Sequence, residues 1–369
     1  MANINTAYRE YANRPKDERF ESVASLLQAA ETDRAQSMER NYNLKDLAIV
    51  TDRDVAGIPD GGLRLQSPKG TAKFTHWSFG QTCRMVGAPA GYLRELPPSI
   101  AADALNYGLQ EAAGVTANLL VKANGGEPTI RACTSDSYGR VWDADLYGQT
   151  ARQILDHDPA WQLPIDWSGN PAGAYRGDRD SFLIVTNGGS IVTDPSLTGK
   201  TDGSMFRGVL IRNSEVGASS IVIDTILFRY ICGNLMLWGA MHDTRFRRRH
   251  VGSKISRDVV REIGRIAHAW ANASPAKDEA LIRTLIDREL AHTKEAVLDE
   301  LKTIGFTKDQ ALQAYERCER EEHVSPRSFW GIAQGLTRLS QDAGYQDGRY
   351  ELDQLAAKVL ARGARLVAA

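Results

Sequence analysis

The hydrophobic and polar positions of the chain follow two different periods. In the middle of the sequence, short apolar runs such as SFLIVTN and SSIVIDTILF are bounded by turn residues, which predicts β-strands. From about Ser253 onward, apolar residues recur every three or four positions, which predicts amphipathic helices. One such stripe consists of Ile255, Val259, Ile263, Ile266 and Trp270. The order of these segments predicts an α+β fold with a β-rich central sheet, flanking helices and a helical C-terminal region.

The same pattern predicts three parts. Residues 1–45 are charged and weakly periodic and predict an N-terminal arm with a short helix around SVASLLQAAET. Residues 46–250 predict an α+β core domain, and residues 251–369 predict the helical C-terminal region. Thr75 is a predicted helix N-cap, and Gly125–Gly126 predicts the turn between two strands. A second turn contains residue types that usually face solvent, namely Asn213, Ser214, Glu215 and Gly217.

Composition narrows the classes of function. The 369 residues contain 45 Lys and Arg against 46 Asp and Glu, a net charge of -1, so binding of a polyanion requires local clustering of charge. The four cysteines show neither metal nor redox spacing and fit a reducing, intracellular setting. The polar N-terminus has no apolar segment of the secretory type. We therefore expect no membrane partner, since Asp224, Arg229 and Asn234 interrupt the longest apolar run, residues 221–241.

The most basic segment follows that apolar run directly, in DTILFRYICGNLMLWGAMHDTRFRRRHVGSK, residues 224–254. Closely spaced arginines repel one another unless a counter-charge is present, so this segment predicts contact with an anionic surface. Its candidate binding residues are Arg245, Phe246, Arg247, Arg248, Arg249 and His250. Helical spacing places further basic residues on one face of the next helix, opposite its apolar stripe, and these are Lys254, Arg257, Arg261, Arg265 and His268. A solvated face with intrahelical ion pairs is the alternative interpretation of this helix.

Aromatic residues supply the second property of a single-strand binder, because bases stack on exposed rings inside a basic groove. Phe246 lies within the arginine cluster and is a candidate for stacking. Tyr138 and Trp142, in SDSYGRVWDAD, are further candidates, as is Tyr175 in a predicted long loop. The alternative for each ring is that it packs in a core or covers a hairpin.

Other chemistry is weakly indicated. Cys232, His242, Asp243 and His250 lack the short spacing of zinc ligands. The sequence contains no P-loop, no dinucleotide fingerprint and no nucleophile elbow. Asp178 and Asp180 lie in a charged loop, GDRD, that is more typical of solvent exposure. We therefore predict no catalytic residue, no metal ligand and no cofactor.

Several stretches resemble one family when taken together and in order. They are FTHWSFGQTCRMVGAPAGYLRELP, SDSYGRVWDADLYGQTARQIL, LIRNSEVGASSIVIDTILFRYICGNLMLWG, RHVGSK and SFWGIAQGLTRLSQDAG. Their order and spacing resemble the phage- and plasmid-like proteins of the domain-of-unknown-function family 932, over Leu44 to Leu360. Arg229, Cys232 and Asn234, followed by Arg249 and His250, form the most specific part.

The chain departs from the family pattern at two places. Ala333-Gln334-Gly335 stands where the family usually has Asn-Ala, and Val251 replaces the usual Thr. The resemblance implies a mobile-element or phage setting, hence the cytoplasm of a bacterial host cell, but it supplies no activity.

Three hypotheses remain open at this point. The first is a non-catalytic single-stranded DNA-binding protein, acting as a homo-oligomer in phage or plasmid replication and recombination, with strand annealing as its most concrete form. The second is a structural protein whose basic segment contacts an acidic patch of a neighbouring subunit. That patch consists of Glu316, Glu319, Glu321 and Glu322. The third is an enzyme on a small substrate, whose site would contain Asp178, Asp180, His242, Asp243 and His250.

Overall fold

The computed structural model describes residues 18–51, 62–112, 114–123, 125–165, 169–171, 173–197, 204–229, 235–237, 246–322, 324–340 and 346–368. Within this part of the chain, helices and two β-sheets confirm the predicted α+β class. The strands are β1 Arg19–Phe20, β2 Ser37–Asn43, β3 Ala48–Thr51, β4 Leu63–Ser67, β5 Gly70–Phe74, β6 Thr116–Lys122, β7 Thr129–Ser135, β8 Trp161–Gln162, β9 Ala174–Arg176, β10 Ser181–Thr193, β11 Ser204–Asn213, β12 Ile221–Arg229, β13 Leu235–Leu237 and β14 Phe246–Arg248. The helices are α1 Val23–Ala35, α2 His76–Met85, α3 Ala90–Leu93, α4 Pro98–Glu111, α5 Asp143–Thr150, α6 Ile255–Ala271, α7 Pro275–Asp287, α8 Lys294–Ile304, α9 Lys308–Glu321, α10 Phe329–Ser340 and α11 Gln346–Ala368.

The first sheet has the strand order β2-β6-β7-β5-β4-β3. Its two edge strands are consecutive in sequence and are joined only by the 3-10 turn Leu44–Asp46. A sheet whose opposite edges are connected so briefly must curl, because strands at opposite edges of a flat six-stranded sheet lie several interstrand spacings apart. Helices α2 and α4 pack on it through a buried cluster that includes Cys83, Leu105 and Leu119. Helix α2 begins as predicted, with the Thr75 side chain accepting a hydrogen bond from the Ser78 N–H.

The second sheet runs β1-β9-β10-β11-β12-β13, with β8 paired to β10 and β14 paired to β12. Helix α6 packs on one of its faces, as its periodicity predicts, and Val259 and Ile263 are fully buried there with Ile223. The other face contacts α11, where Ala357 packs with Phe228. Helices α7 to α11 form a further core around Trp330, in agreement with the predicted helical C-terminal region.

Residues 18–45 are folded elements, although the sequence analysis assigned them to an arm. Helix α1 buries Leu26 and Ala30 completely in the core beneath the second sheet. Strand β2 pairs with β6 over its whole length, from Ser37 opposite Lys122 to Asn43 opposite Thr116. The boundary at residue 45 therefore falls inside one curled sheet, between its two edge strands. The rest of the predicted arm, residues 1–17, lies outside the described residues.

The turn after β11 is buried, so its interpretation as a solvent turn was wrong for most of its length. Asn213 and Ser214 are completely buried, and Glu215 is 3% exposed. The carbonyl oxygen of Val216 accepts hydrogen bonds from Trp77 Nε1 at 3.0 Å and from Gln81 Nε2 at 2.7 Å. Because the two donors lie on α2, the turn fastens the second sheet to the first.

A buried group of charges reinforces this junction. The Glu215 carboxylate pairs with Arg131 of β7 at 2.9 Å and with Arg176 of β9 at 3.1 Å, so it connects one strand of each sheet. Arg176 also contacts the carboxylates of Asp33 and Asp143. Burial and the neighbouring Glu215 charge raise the pKa of Asp143, although Arg176 opposes the rise. Burial alone would raise the pKa of Asp33, but Arg176 and Lys122 bring it below its usual value.

The apolar run before the basic segment is a β-strand, as predicted, over Ile221–Arg229. Cys232 lies outside the described residues, and Leu235–Leu237 returns as a strand beside β12. None of the described helices combines the length and the apolar character that a membrane crossing requires.

Candidate nucleic-acid interface

A short strand carries the centre of the basic segment. Phe246–Arg248 pairs antiparallel with β12, so that Phe246 lies opposite Ile223 and Arg248 lies opposite Ile221. The first candidate, Arg245, lies outside the described residues. The arginines of this strand are therefore presented by a packed sheet.

Phe246 does not offer a stacking surface. Its side chain is 7% exposed and belongs to the core that contains Ile255 and Val259 of α6. The guanidinium group of Arg248 lies 5.4 Å from the centre of the ring and covers it from outside. The reason is the alternation of a β-strand, which turns every second side chain toward the covered face of the sheet.

The same alternation separates the arginines of RFRRRH. Arg248 follows Phe246 by two residues and therefore projects on the same side of the sheet, which α6 covers. Arg247 projects on the other side. There, Arg247 Nη1 lies 3.5 Å from Gln354 Oε1 of α11. The cluster that is dense in sequence is thus divided between two faces of the sheet, and Arg247 belongs to a different surface from Arg248.

The loop after β14 continues the surface of Arg248. Arg249, Val251 and Lys254 are exposed, and the backbone that carries them is fixed from both sides. The N–H of Gly252 donates to the Ser137 carbonyl at 2.9 Å, and the His250 carbonyl accepts from Gly139 at 3.1 Å. The loop is therefore held against residues 137–139, which rigidly positions its cations.

His250 is not a phosphate ligand in this arrangement. It is 5% exposed, and its Nδ1 lies 3.2 Å from the Gly139 carbonyl oxygen. Burial lowers its pKa to about 4, an effect that the Gly139 hydrogen bond opposes and the charge of Arg140 assists. The imidazole is consequently neutral at pH 7 and attracts no anion by charge.

Tyr138 and Trp142 have partners within the protein. The Tyr138 ring stacks on His250, and its hydroxyl donates to the Ser214 carbonyl at 2.7 Å. Burial, above all, raises the pKa of that hydroxyl. Trp142 is half-buried, with the guanidinium groups of Arg34 and Arg140 lying 5.4 and 5.9 Å from its centre. Tyr175 is 1% exposed and lies in β9, because that part of the predicted loop is a strand of the second sheet.

The exposed face of α6 is basic mainly near its beginning. Arg257, Arg261 and Arg265 lie one helical turn apart and are exposed. The side chain of Arg265 pairs with Glu262, and that of Arg261 lies 3.9 Å from Asp258 and 3.7 Å from Glu262. The intrahelical alternative of the sequence analysis therefore describes the second half of this face. Arg257, one turn earlier, has no such carboxylate partner among the described residues.

These placements define one candidate surface, here called the basic face, which consists of Arg248, Arg249, Lys254, Arg257 and Arg261. Four of its members are exposed cations that form no ion pair with the described residues, and Arg261 is only loosely paired. Exposed, unpaired arginines are suited to phosphate oxygens, since the guanidinium fork donates two parallel hydrogen bonds.

The residues of the alternative enzyme site do not assemble among the described residues. Asp180 lies near the Tyr175 hydroxyl, at 3.4 Å, and the Arg212 guanidinium, at 3.8 Å. His250 is buried at a different place, beside Gly139. The described part of the chain contains no group of three or more residues placed to hold a metal ion. Cys232, His242 and Asp243 lie outside it.

The acidic patch of the subunit-contact hypothesis is partly neutralised within the chain. Glu321 pairs with Arg317 at 2.6 Å and also with Arg338. Although burial acts in the other direction, these two arginines lower the pKa of Glu321. Glu316 lies 3.5 Å from Lys294. Only part of the predicted acidic charge is therefore directed outward.

The comparisons with known proteins agree with the resemblance seen in the sequence. Residues 163–340 match the family model described as Domain of unknown function (DUF932). No curated protein and no solved structure matches the chain. The matched segment begins directly after β8, includes strands β9 to β14 of the second sheet with the basic segment, and ends with α10. This segment, which carries the whole of the basic face, is therefore similar to the DUF932 family of domains.

Proposed function

We propose that this protein binds single-stranded nucleic acid, DNA in the first instance, through the phosphate backbone, with the basic face as its contact surface and without catalysis. Strand annealing by a homo-oligomer, in phage or plasmid replication or recombination, is the biological form of this proposal. The observation that carries it is the row of exposed cations on a rigid support, from Arg248 to Arg257, in a chain of nearly zero net charge. A local row of this kind needs an external counter-charge, and a phosphate backbone supplies one at regular spacing.

The contacts in this proposal are electrostatic rather than aromatic. Because Phe246, Tyr138 and Trp142 are engaged within the protein, their rings are not assigned to stacking on bases. Sequence-independent binding is then expected, since phosphate contacts carry no base information. The preference for a single strand rests on the annealing role alone, and duplex DNA is therefore the decisive comparison.

A salt series on the purified chain tests the proposal. Binding of a labelled single strand and of its duplex is followed by fluorescence anisotropy at increasing salt concentration. Four to five phosphate contacts on a single strand predict a slope of about -3 in a plot of log affinity against log salt. The variant Arg248→Ala/Arg249→Ala/Arg257→Ala removes three of these contacts, so we expect the slope to flatten by about 2.

A matched control removes the same charge elsewhere. Arg84, Arg283 and Arg320 are exposed at other places, and their triple alanine variant should retain nearly all of the affinity. Equal weakening by both triple variants would mean that net charge alone drives binding, and absence of binding at low salt would refute the proposal. A change of oligomer size in the first variant, without any DNA binding, would instead support the subunit-contact hypothesis.

A further inference from the structure

A second basic site lies in the first sheet, far along the chain from the basic face. It is an open cavity of about 380 Å³ between the β4–β5 hairpin, the beginning of α2 and residues 93–98. Its wall is apolar where Leu63, Phe74, Phe79, Leu93 and Leu96 line it. Its polar lining includes Arg64, Lys73, His76 and Arg94, and no carboxylate is among the lining residues that the structure describes. We call this cavity the hairpin pocket.

Two of its cations face each other directly across the hairpin. Arg64 of β4 and Lys73 of β5 are register partners in the antiparallel pair. Like charges in directly opposite positions destabilise a sheet unless an anion lies between or beside them. The Glu127 carboxylate neutralises Arg64, because it pairs with Arg64 Nε at 2.5 Å. Lys73 is exposed and forms no ion pair with the described residues.

Arg94 completes the basic rim in a fixed orientation. Its Nη2 donates to the His76 carbonyl at 2.9 Å, and its guanidinium lies 5.2 Å from the centre of the Phe79 ring. These contacts hold the group beside the apolar wall at Phe79 and leave other guanidinium N–H groups for a ligand. Arg94 forms no ion pair within the described part of the chain. With one of three cations neutralised by Glu127, the described residues leave about two positive charges of the pocket uncompensated at neutral pH.

We propose that the hairpin pocket binds a phosphate monoester with an apolar or aromatic body of nucleoside size. The phosphate would contact Lys73 and Arg94, and the body would lie on Phe79 and Leu93. A phosphate monoester carries about -1.5 to -2 charges at pH 7, which matches the two uncompensated cations. The volume lies at the small end of the range for ligand sites, which fits one nucleotide rather than a dinucleotide. This inference is independent of the proposed function, because it concerns other residues and another sheet.

The probes are adenosine monophosphate, adenosine and inorganic phosphate, measured by isothermal titration calorimetry on the full chain. We expect the monophosphate to bind at least about tenfold more tightly than either fragment, because only it engages both the cations and the wall. Lys73→Gln should weaken monophosphate binding about fivefold or more. Lys69→Gln is the matched control, since Lys69 is exposed on the same hairpin but does not line the pocket.

The variants and probes distinguish a phosphate-binding pocket from nonspecific binding. If the monophosphate binds no better than adenosine, or if the Lys73 and Lys69 variants weaken it equally, the proposal is overturned. A 5′-phosphorylated trinucleotide and its unphosphorylated form then identify the source of the ligand: tighter binding than the free nucleotide indicates a strand end, and weaker binding indicates a free metabolite. The Arg248→Ala/Arg249→Ala/Arg257→Ala variant should bind the monophosphate like the wild type, so failure here is distinguishable from failure of the proposed function.

Discussion

The Tyr138 ring lies on the His250 imidazole, with ring centroids 5.1 Å apart and an angle of 24° between the planes. Both residues were sequence candidates for contacting nucleic acid, and each instead contacts the other. Their stack fastens the loop that carries Arg249 and Lys254 to the turn at Gly139, and the Tyr138 hydroxyl extends the link to Ser214. The pair therefore supports the basic face from within.

The burial of His250 makes the stability of the folded protein depend on pH. The pKa of His250 is lowered to about 4 in the folded protein, against about 6.5 in the unfolded chain. Between these pH values the unfolded state binds more protons than the folded state. The contribution of neutral, buried His250 to the free energy of unfolding is therefore fully present above about pH 6.5 and is lost as the pH drops toward 4. The predicted loss from this residue is roughly 3 kcal/mol. Urea unfolding at a series of pH values measures it.

The variant His250→Phe keeps a flat ring under Tyr138 but has no proton to gain. Its stability should change less between pH 6.5 and 4 than that of the wild type. His292 is highly exposed, so His292→Phe provides the matched control and should leave the pH dependence as it is. If His250→Phe and the wild type lost the same free energy of unfolding between pH 6.5 and 4, other groups would be the cause of the loss.

Phe246 tests the difference between a core ring and a stacking ring. Phe246→Leu preserves an apolar side chain, so we expect a loss of about 1 kcal/mol in the free energy of unfolding and unchanged affinity for single-stranded DNA. Phe246→Ala should cost about 3–5 kcal/mol, because it leaves a cavity beside Ile255 and Val259. Denaturant unfolding and anisotropy on the same samples separate the two quantities. A stable Phe246→Leu protein with strongly weakened DNA binding would restore the stacking role.

Glu215 is predicted to be the most sensitive of the buried charges. Its carboxylate pairs with Arg131 and Arg176 and also accepts the Asp143 backbone N–H at 2.9 Å. Glu215→Gln leaves two buried guanidinium groups with less counter-charge, which should cost about 3–5 kcal/mol. Glu319 is exposed, and Glu319→Gln should stay within about 0.5 kcal/mol of the wild type. A near-neutral Glu215→Gln would mean that Asp33 and Asp143 alone compensate both arginines.

Local periodicity explains what the sequence predicted well. The stripe of α6 depends only on residues three and four positions apart, and each of its members is buried. The Thr75 cap likewise depends on the next three residues. The same holds for the strand pair around Gly125–Gly126, which becomes β6 and β7.

The predictions that were wrong concern residues whose partners are distant in sequence. Glu215 looks like a turn residue because Arg131, which pairs with it, lies 84 positions earlier. The hairpin pocket was missed for a similar reason, since its cations belong to separate elements. Phe246 is a different case, because the alternation R-F-R already carries the signal of a half-buried strand. The charge density of RFRRRH masks that signal.

Helices α9 and α10 pack closely at Gly335, a position where the chain departs from the pattern of the family that it resembles. A Cβ atom on Gly335 would lie 2.1 Å from the Ala314 carbonyl oxygen and 3.0 Å from the Cys318 nitrogen. Because both are backbone atoms of α9, no side-chain rotation relieves the contact, and the two helices must separate. Gly335→Ala should therefore destabilise the protein by about 2 kcal/mol or more, despite the higher helix propensity of alanine. Gly91 in α3 has open space at the same position, so Gly91→Ala should be neutral or stabilising by up to about 1 kcal/mol. Thermal unfolding of the two variants tests this prediction, and equal melting temperatures would show that α10 leaves room for a Cβ atom against α9.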